Sequence, residues 1–269
     1  MTWTARLGRL LPRAAGHRLP LPATPYASPW RQAPADTRRP ASGGRIPRNI
    51  HCMWLGYDAP VMGDLFQRCF ARMVALHPGW DIVLHDRPSV EACLARYPAI
   101  AEAYAGASAI AQCDIGRLAV LGTLGGIYLD LDVTVRRPLD RLFDDYADRS
   151  LITFTEQPMG TAGNRHNTRV ANYALAVAPG DPVVDLCFDV IAERLASSTP
   201  PHDRDSDDYV IWSTGPDVVS TVIHGLLPGH SVVPVALPRD VDTDAAVVSL
   251  KETRRYLRHG GGATWRAWR

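Results

Sequence analysis

Two aspartates, Asp130 and Asp132, lie in the apolar stretch GGIYLDLDVTV at residues 125–135. If this stretch is one β-strand, alternation places its aliphatic side chains on one face and Tyr128 with both aspartates on the other. Two like charges on one strand face are unfavourable unless another group offsets them. Carboxylates at the carboxyl end of a strand suit a hard divalent cation such as Mg²⁺ or Mn²⁺. We therefore expect this pair to bind a metal, and the alternative is a strand whose polar face is solvated.

The same residues also fit D-x-D-x-T, the nucleophile motif of haloacid-dehalogenase-type phosphatases. In that alternative, Asp130 would attack phosphorus and Asp132 would act as acid and base. Such enzymes also need a lysine before a later acidic pair. Here Lys251 follows the pair Asp207 and Asp208, so the order of the residues opposes this alternative.

The elements that must position the aspartates alternate between strands and helices. Apolar spacing predicts helices over residues 64–76, 90–105, 109–124 and 182–197, and a further helix beginning near Pro216. Strands are predicted over residues 46–55, 81–86, 125–135 and 150–157. This alternation predicts one α/β domain with a mostly parallel central sheet.

The composition is that of an ordinary globular protein, with 269 residues, 46% hydrophobic and 21% charged. A net charge of +1 gives no reason to expect nucleic-acid binding. The five cysteines form no C-x-x-C pair, which favours a reducing cytoplasm. No apolar run reaches the ~18 residues of a membrane span, so we expect no transmembrane segment.

The N-terminal segment differs from the rest of the chain. Residues 1–45 contain eight arginines against one acidic residue, Asp36, and many prolines. We expect residues 1–43 to be a disordered tail, with residues 44–269 forming the domain. A tail of this composition could also contact acidic lipids, which would make the protein peripheral to a membrane.

Four segments in order extend the pattern around the aspartate pair: IPRNIHCMWLG, HPGWDIVLHD, AIAQCDIGRLAVLGTLGGIYLDLDV and NYALAVAPGDP. Together they resemble the DXD sugar-binding region of glycosyltransferase family 32, which groups with glucosylating bacterial toxins and yeast-type mannosyltransferases. The resemblance covers about residues 45–182 and continues more weakly through STGPDVV and RHGGGATWRAW.

This resemblance implies a GT-A fold, the Rossmann-like fold of nucleotide-diphospho-sugar transferases. It also implies a metal-dependent, retaining transfer of a hexose from a UDP- or GDP-sugar to a hydroxyl acceptor, as in polysaccharide biosynthesis. A protein that keeps the fold and binds the donor without turnover is the non-enzymatic alternative.

The resemblance further implies roles for single residues. Asp114 would bind hydroxyls of the transferred sugar, and Arg117 would reach the sugar or phosphate; the alternative is a local ion pair at i, i+3. Asp130 would hold the ribose or sugar and assist the metal, and Asp132 would ligate it; these two are the candidate catalytic residues. A departure from many relatives is Cys113, where they carry a small polar residue. The implied donor-binding residues are Trp54, Asp114, Arg117, Asp130, Asn172, Thr214, Gly215 and Trp265.

The C-terminal segment and one further carboxylate complete the expectations. By resemblance, His259 is a candidate third metal ligand, against the alternative of a solvated histidine, and GGGATW would form a lid that excludes water. Trp54 has the alternative of an ordinary core residue. A retaining reaction needs no enzymatic nucleophile if the diphosphate acts as base, so Glu156 is kept only as a helper.

Overall fold

The computed structural model describes residues 44–55, 63–158, 168–226 and 243–260. The predicted tail of residues 1–43, and the predicted lid with Trp265, lie outside these residues. Apart from Gly260, which follows the last strand, the GGGATW segment is therefore not described.

The described residues form a six-stranded sheet with strand order β2-β1-β3-β6-β5-β7, and all but β6 run in the same direction. The prediction of an α/β protein with a mostly parallel sheet is thus confirmed. A separate two-stranded sheet pairs β4 with β8. The strands are β1 Asn49–Met53, β2 Asp81–His85, β3 Gly126–Leu129, β4 Val133–Val135, β5 Leu151–Pro158, β6 Thr168–Val177, β7 Ala245–Val248 and β8 Leu257–His259.

Helices cover both faces of the sheet, and each face carries its own cluster of buried side chains. Helices α2, α3, α4, α6 and α8 contribute to one cluster, and α1, α5 and α9 contribute to the other. Among the described helices, none combines the length and apolar character needed to cross a membrane. The helices are α1 Asp64–Leu76, α2 Arg87–Leu94, α3 Pro98–Ala105, α4 Ala109–Leu124, α5 Asp140–Asp145, α6 Val183–Ala196, α7 Asp207–Ser213, α8 Pro216–Leu226 and α9 Leu250–Tyr256.

The single helix predicted over residues 90–105 is wrong, because the structure has two helices there. Helix α2 begins earlier, where Asp86 caps it by accepting a hydrogen bond from the Ser89 N–H. The break falls at Tyr97, which adopts non-helical dihedrals immediately before Pro98. A residue before proline is disfavoured in the helical region, so proline ends one helix and starts the next.

The single strand predicted over residues 125–135 is also wrong. The chain leaves the sheet after Leu129, turns through residues 130–132, and continues as β4 in the small second sheet. Asp130 and Asp132 therefore lie in a turn between two strands and not inside one strand. The turn is closed by a hydrogen bond of 3.0 Å from the Val133 N–H to the Asp130 carbonyl.

The double glycine before β3 serves a conformational need. Gly125 and Gly126 have φ of +65° and +103°, which side chains rarely tolerate. A Cβ on Gly126 would also lie 2.7 Å from the Asn49 carbonyl oxygen on β1. Glycine thus lets β3 enter the sheet directly beside β1.

A chain of buried hydrogen bonds holds this entry point. The His51 Nε2 lies 2.8 Å from the Gly125 carbonyl, His51 Nδ1 lies 2.9 Å from His85 Nε2, and His85 Nδ1 lies 2.7 Å from Ser89 Oγ. Since a carbonyl only accepts, His51 Nε2 must carry the proton, and the donors then run from Ser89 through His85 to His51. Both imidazoles are neutral in this arrangement.

A bulge in β6 interrupts its pairing with β5. Thr153 pairs with Leu175, whereas Thr155 already pairs with Val170, so residues 171–174 face the single residue Phe154. Bulges re-aim side chains and are common next to active sites. This bulge contains Asn172, which donates to Asp114 on one side of the sheet, and Tyr173, which packs in the core cluster of the other side.

Candidate active site

The turn that carries both aspartates is anchored to the bulge of β6. The Asp130 N–H donates to the Tyr173 carbonyl over 2.9 Å, which extends the pairing of β3 with β6 by one residue. Asp132 is 6% exposed, and the Asp130 side chain is 26% exposed. The two carboxylates therefore lie at the carboxyl end of β3, the edge where α/β sheets bind their ligands.

The small sheet brings His259 to the aspartates. Val133 on β4 pairs with His259 on β8, and His259 Nε2 lies 3.3 Å from Asp132 Oδ1. Burial lowers the pKa of His259, but the hydrogen bond and charge of Asp132 outweigh it, and the pKa lies above its ordinary value. The structure thus places His259, the predicted third metal ligand, beside Asp132, which was predicted to ligate the metal directly.

The donor set fits a divalent metal. Asp130, Asp132 and His259 each offer one ligand atom, and these atoms lie within 4.8 Å of one another. Octahedral ligands at 2.0–2.1 Å from a metal are separated from one another by about 3–4 Å. A small closure of the three side chains would therefore suffice, and two carboxylates with one imidazole suit Mn²⁺ or Mg²⁺.

Arg117 offsets part of the negative charge of the two aspartates. Arg117 Nη2 lies 3.0 Å from Asp114 Oδ1 and 3.5 Å from Asp130 Oδ1. Arg117 also donates to the Asn172 carbonyl over 2.7 Å. Burial would lower the pKa of Arg117, but the neighbouring carboxylates raise it above its ordinary value. Arg117 therefore balances Asp130, while His259 faces Asp132.

Asp114 is held by three side chains at once. Besides Arg117, it accepts hydrogen bonds of 3.0 Å each from Asn172 Nδ2 and Thr214 Oγ1. Burial raises the pKa of Asp114 to about 6, against the opposing effects of Arg117 and the hydrogen bonds. The structure thus brings Asp114, Arg117, Asn172 and Thr214 together, and the local ion pair at i, i+3 is present within the same cluster.

Tyr128 belongs to this cluster, although the sequence argument gave it no role. Its ring lies under the Arg117 guanidinium, 4.9 Å from ring centre to Cζ. Burial, the charge of Asp130 and a hydrogen bond donated to Asp130 raise the pKa of Tyr128 well above its ordinary value. The alternation that placed Tyr128 on the same strand face as the aspartates was the signal that could have identified it.

Two predicted donor-binding residues lie in plainly structural positions. Trp54 is buried, in the core cluster of the α1 side, with its ring 5.7 Å from that of Phe66. At Gly215, a Cβ would lie 2.9 Å from the Ile211 Cα, and its N–H donates to the Val210 carbonyl. Their part in donor binding stays a prediction.

Glu156 lies on β5, close enough to His259 and Asp130 for their charges to affect it. Burial raises its pKa, which the charges of Arg169 and His259 partly oppose. Arg169 is itself paired with Asp217 at 3.2 Å. Glu156 therefore shares its electrostatic surroundings with His259 and with the Arg169–Asp217 pair.

Residues 63–148 match a family described as the glycosyltransferase sugar-binding region containing the DXD motif. The matched region contains Asp114, Arg117, Asp130 and Asp132, and it covers about a third of the chain. No curated protein matches the chain.

Several solved structures resemble the chain. The ligand-free glycosyltransferase domain from the YGT toxin has a TM-score of 0.50 at 9% identity, over 70% of this chain and 80% of that one. The UDP-bound form of the same domain has a TM-score of 0.49 at 9% identity, over 70% and 79%. PaToxG glycosyltransferase has a TM-score of 0.48 at 17% identity, over 69% and 72%.

The likeness to the ligand-free toxin domain concerns the fold, which is of the GT-A type. The family match concerns the segment that carries the aspartate turn and the Asp114–Arg117 pair. The chain thus combines a GT-A type of fold with a segment, residues 63–148, that matches the glycosyltransferase sugar-binding region containing the DXD motif.

Proposed function

We propose that the protein is a metal-dependent, retaining glycosyltransferase of family 32 type. It would move a hexose from a UDP- or GDP-sugar to a hydroxyl group of a glycan, lipid, protein or small molecule. A role in polysaccharide biosynthesis fits this chemistry.

The observation that carries the proposal is the convergence of Asp130, Asp132 and His259 at the carboxyl end of β3. When bound, a divalent cation supplies Lewis-acid neutralisation of the diphosphate leaving group. Asp132 and His259 would hold it, with Asp130 assisting. Within the described residues, this is the group of three such side chains whose ligand atoms lie close enough to share an ion.

The neighbouring cluster would bind the sugar and its phosphates. Three donors already occupy much of the Asp114 carboxylate, which leaves about one of its four lone-pair positions for a sugar hydroxyl. Arg117 is locked against Asp130 and the Asn172 carbonyl, so its planar fork is oriented before the donor arrives. Preorganisation of this kind lowers the cost of binding and orienting the substrate.

In the proposed reaction, the bond between the anomeric carbon and the diphosphate oxygen breaks, and a bond to the acceptor oxygen forms on the same face of the sugar. The acceptor proton passes to the departing diphosphate oxygen. Glu156 is not required as a nucleophile in this scheme. Unchanged turnover in Glu156→Gln would remove it from the chemistry altogether.

The phosphatase alternative receives no support from the site. Its nucleophile would be Asp130, which the Arg117 guanidinium and the Tyr128 hydroxyl engage. The fold and the matched family are those of glycosyltransferases.

We further propose a cytoplasmic location with peripheral membrane contact through residues 1–43. The basic charge of this segment would favour an anionic membrane surface. Co-sedimentation with anionic vesicles tests this, because deletion of residues 1–43 should abolish the binding; unchanged binding would contradict it.

The test of the proposed function is hydrolysis of a panel of UDP- and GDP-hexoses in the presence of Mn²⁺, with water as acceptor and released nucleotide as the readout. Wild type should release nucleotide from one donor, and Asp132→Asn should reduce the rate by at least ~100-fold, as expected for loss of a transition-state charge interaction. Asp205→Asn is the matched control, because Asp205 belongs to another D-x-D pair on an exposed loop.

Wild-type activity in Asp132→Asn would contradict the metal assignment. Donor binding with no product from any donor would instead favour the non-enzymatic alternative.

A further inference from the structure

The bulge of β6 places one residue, Tyr173, against both flanks of the candidate metal group. On one flank, its carbonyl accepts the Asp130 N–H over 2.9 Å. On the other flank, its ring stacks on the His259 imidazole, with centroids 4.3 Å apart and planes 2° from parallel. We propose that Tyr173 is a positioning residue that orients His259 towards the metal, an inference that rests on the proposed metal site.

The environment explains why His259 needs such support. His259 is the last residue of the three-residue strand β8, and its side chain keeps 29% exposure. A short strand fixes the backbone, so the orientation of the imidazole depends on its side-chain contacts, of which the Asp132 carboxylate at 3.3 Å is one. Metal-bound histidines are ordinarily oriented by a second group, and its loss typically weakens metal binding 10- to 100-fold.

Tyr173 is suited to this role because it is itself rigid. It is 6% exposed and packs within the core cluster on that side of the sheet. Its backbone is held on the β3 side, where its carbonyl accepts the Asp130 N–H over 2.9 Å. A rigid aromatic face parallel to the imidazole restricts rotation of the ring while leaving Nε2 directed at Asp132.

The same bulge serves the other half of the site. The neighbouring Asn172 donates to Asp114 and accepts from Arg117, on the opposite side of the sheet from His259. Two consecutive residues thus connect the predicted sugar-binding cluster with the predicted metal ligands. The bulge therefore fixes the spacing between these two halves.

The experiment measures Mn²⁺ affinity of the full chain directly, by the free-ion signal in electron paramagnetic resonance, so it does not depend on activity. Tyr173→Leu should weaken Mn²⁺ binding about tenfold, and Tyr173→Phe should retain wild-type affinity because it keeps the ring. Tyr104→Leu is the matched control: it removes another buried tyrosine, from the opposite core cluster, and should lower stability without changing the affinity.

A double-variant cycle separates the stack from general damage. In a His259→Ala background, Tyr173→Leu should cause no further loss of affinity, since the ring it orients is gone. Wild-type affinity in Tyr173→Leu, or equal losses in the Leu and Phe variants, would overturn the role of the ring while leaving the proposed function intact. Wild-type Mn²⁺ affinity in both His259→Ala and Asp132→Asn would overturn the metal site as well.

A measurement on the wild-type protein covers the case in which Tyr173→Leu does not fold. Protons of an imidazole stacked face to face on a tyrosine ring are shifted upfield in the proton NMR spectrum. The His259 resonances, assigned by their loss in His259→Ala, should show this shift. Resonances at their ordinary positions would contradict the stack.

Discussion

At the scale of single residues, the site depends on how buried charges are balanced. Arg117 and Asp114 have side chains only 7% and 5% exposed. The same guanidinium also contacts the Asp130 carboxylate and the carbonyl groups of Asn172 and Cys113. A buried ion pair of this kind contributes little net stability, but removal of one partner is costly because the other charge is left uncompensated. The pair is therefore best understood as a device that fixes geometry.

We predict that Arg117→Met lowers the free energy of unfolding by about 3–5 kcal/mol, measured by urea unfolding. Adding Asp114→Asn should recover part of this loss, because the second substitution removes the unpaired charge. Arg141→Met is the control: its pair with Asp145 is largely exposed, so the change should stay within about 1 kcal/mol. Equal losses for Arg117→Met and Arg141→Met would contradict the account.

The buried histidine pair makes a second prediction at this scale. Burial lowers the pKa of His51 to about 4 and that of His85 well below its ordinary value. The unfolded chain therefore binds more protons than the folded one between the two pKa values, and stability falls as the pH drops from 6.5 towards 4.

From His51 alone, urea unfolding at pH 7 and pH 5 should differ by about 2 kcal/mol in free energy. His51→Gln should be less stable at pH 7 but should show a smaller difference between the two pH values. His202→Gln, on the polar loop before α7, should keep the wild-type difference. A wild-type pH dependence in His51→Gln would show that another group causes it.

At the scale of elements, glycines at the entry to β3 are required by the fold. We predict that Gly126→Ala costs about 2–3 kcal/mol of unfolding free energy, since it combines a positive φ with a contact of 2.7 Å to backbone. Gly106→Ala is the matched control, because no atom lies within 4 Å of the added Cβ. That variant should be neutral or stabilised by up to about 1 kcal/mol, and a similar loss in both variants would count against the steric argument.

The elements also show what the sequence could predict. Helix α1 matches the predicted residues 64–76, and α4 ends at Gly125 as predicted, because apolar periodicity and glycine stops are local signals. The break of residues 125–135 into β3, a turn and β4 has no such signal. The apolar residues continue through it, and only the pairing of β4 with β8, more than a hundred residues later, sets the boundary.

In the candidate site too, features with local sequence signals could be predicted, whereas those that depend on strand pairing could not. The aspartate turn and the family resemblance pointed to Asp114, Arg117, Asn172 and Thr214, which the structure brings together. They also pointed to His259, which the structure places beside Asp132. Residues 170–179 indicate a further element whose type the sequence leaves open, and the bulge at Tyr173 could not be predicted because it depends on the register between strands. The residue types around position 173 do not indicate that β6 has three more residues than β5 at this point of their pairing.

At the scale of the whole molecule, we propose that residues 44–269 form the folded domain. Among the residues that the structure describes, the buried members of both core clusters lie between residues 50 and 257. We predict that a chain beginning at residue 44 keeps the wild-type melting temperature within ~1–2 °C. Removal of a tail outside the domain should change the unfolding free energy by less than ~1 kcal/mol, which corresponds to about 2–4 °C for a domain of this size. A drop of many degrees would contradict the proposal that residues 44–269 form the domain.

The central claim is that metal and nucleotide bind together at the aspartate turn, and thermal unfolding tests it most directly. UDP and GDP would each be added with and without Mn²⁺, to wild type and to Asp132→Asn. At a hundredfold excess over Kd, a bound ligand adds about 2.7 kcal/mol, which is several degrees for a domain of this size. We predict a shift in wild type that requires Mn²⁺ and one particular nucleotide and that is absent in Asp132→Asn. No shift with either nucleotide, or the same shift without the metal, would contradict the account.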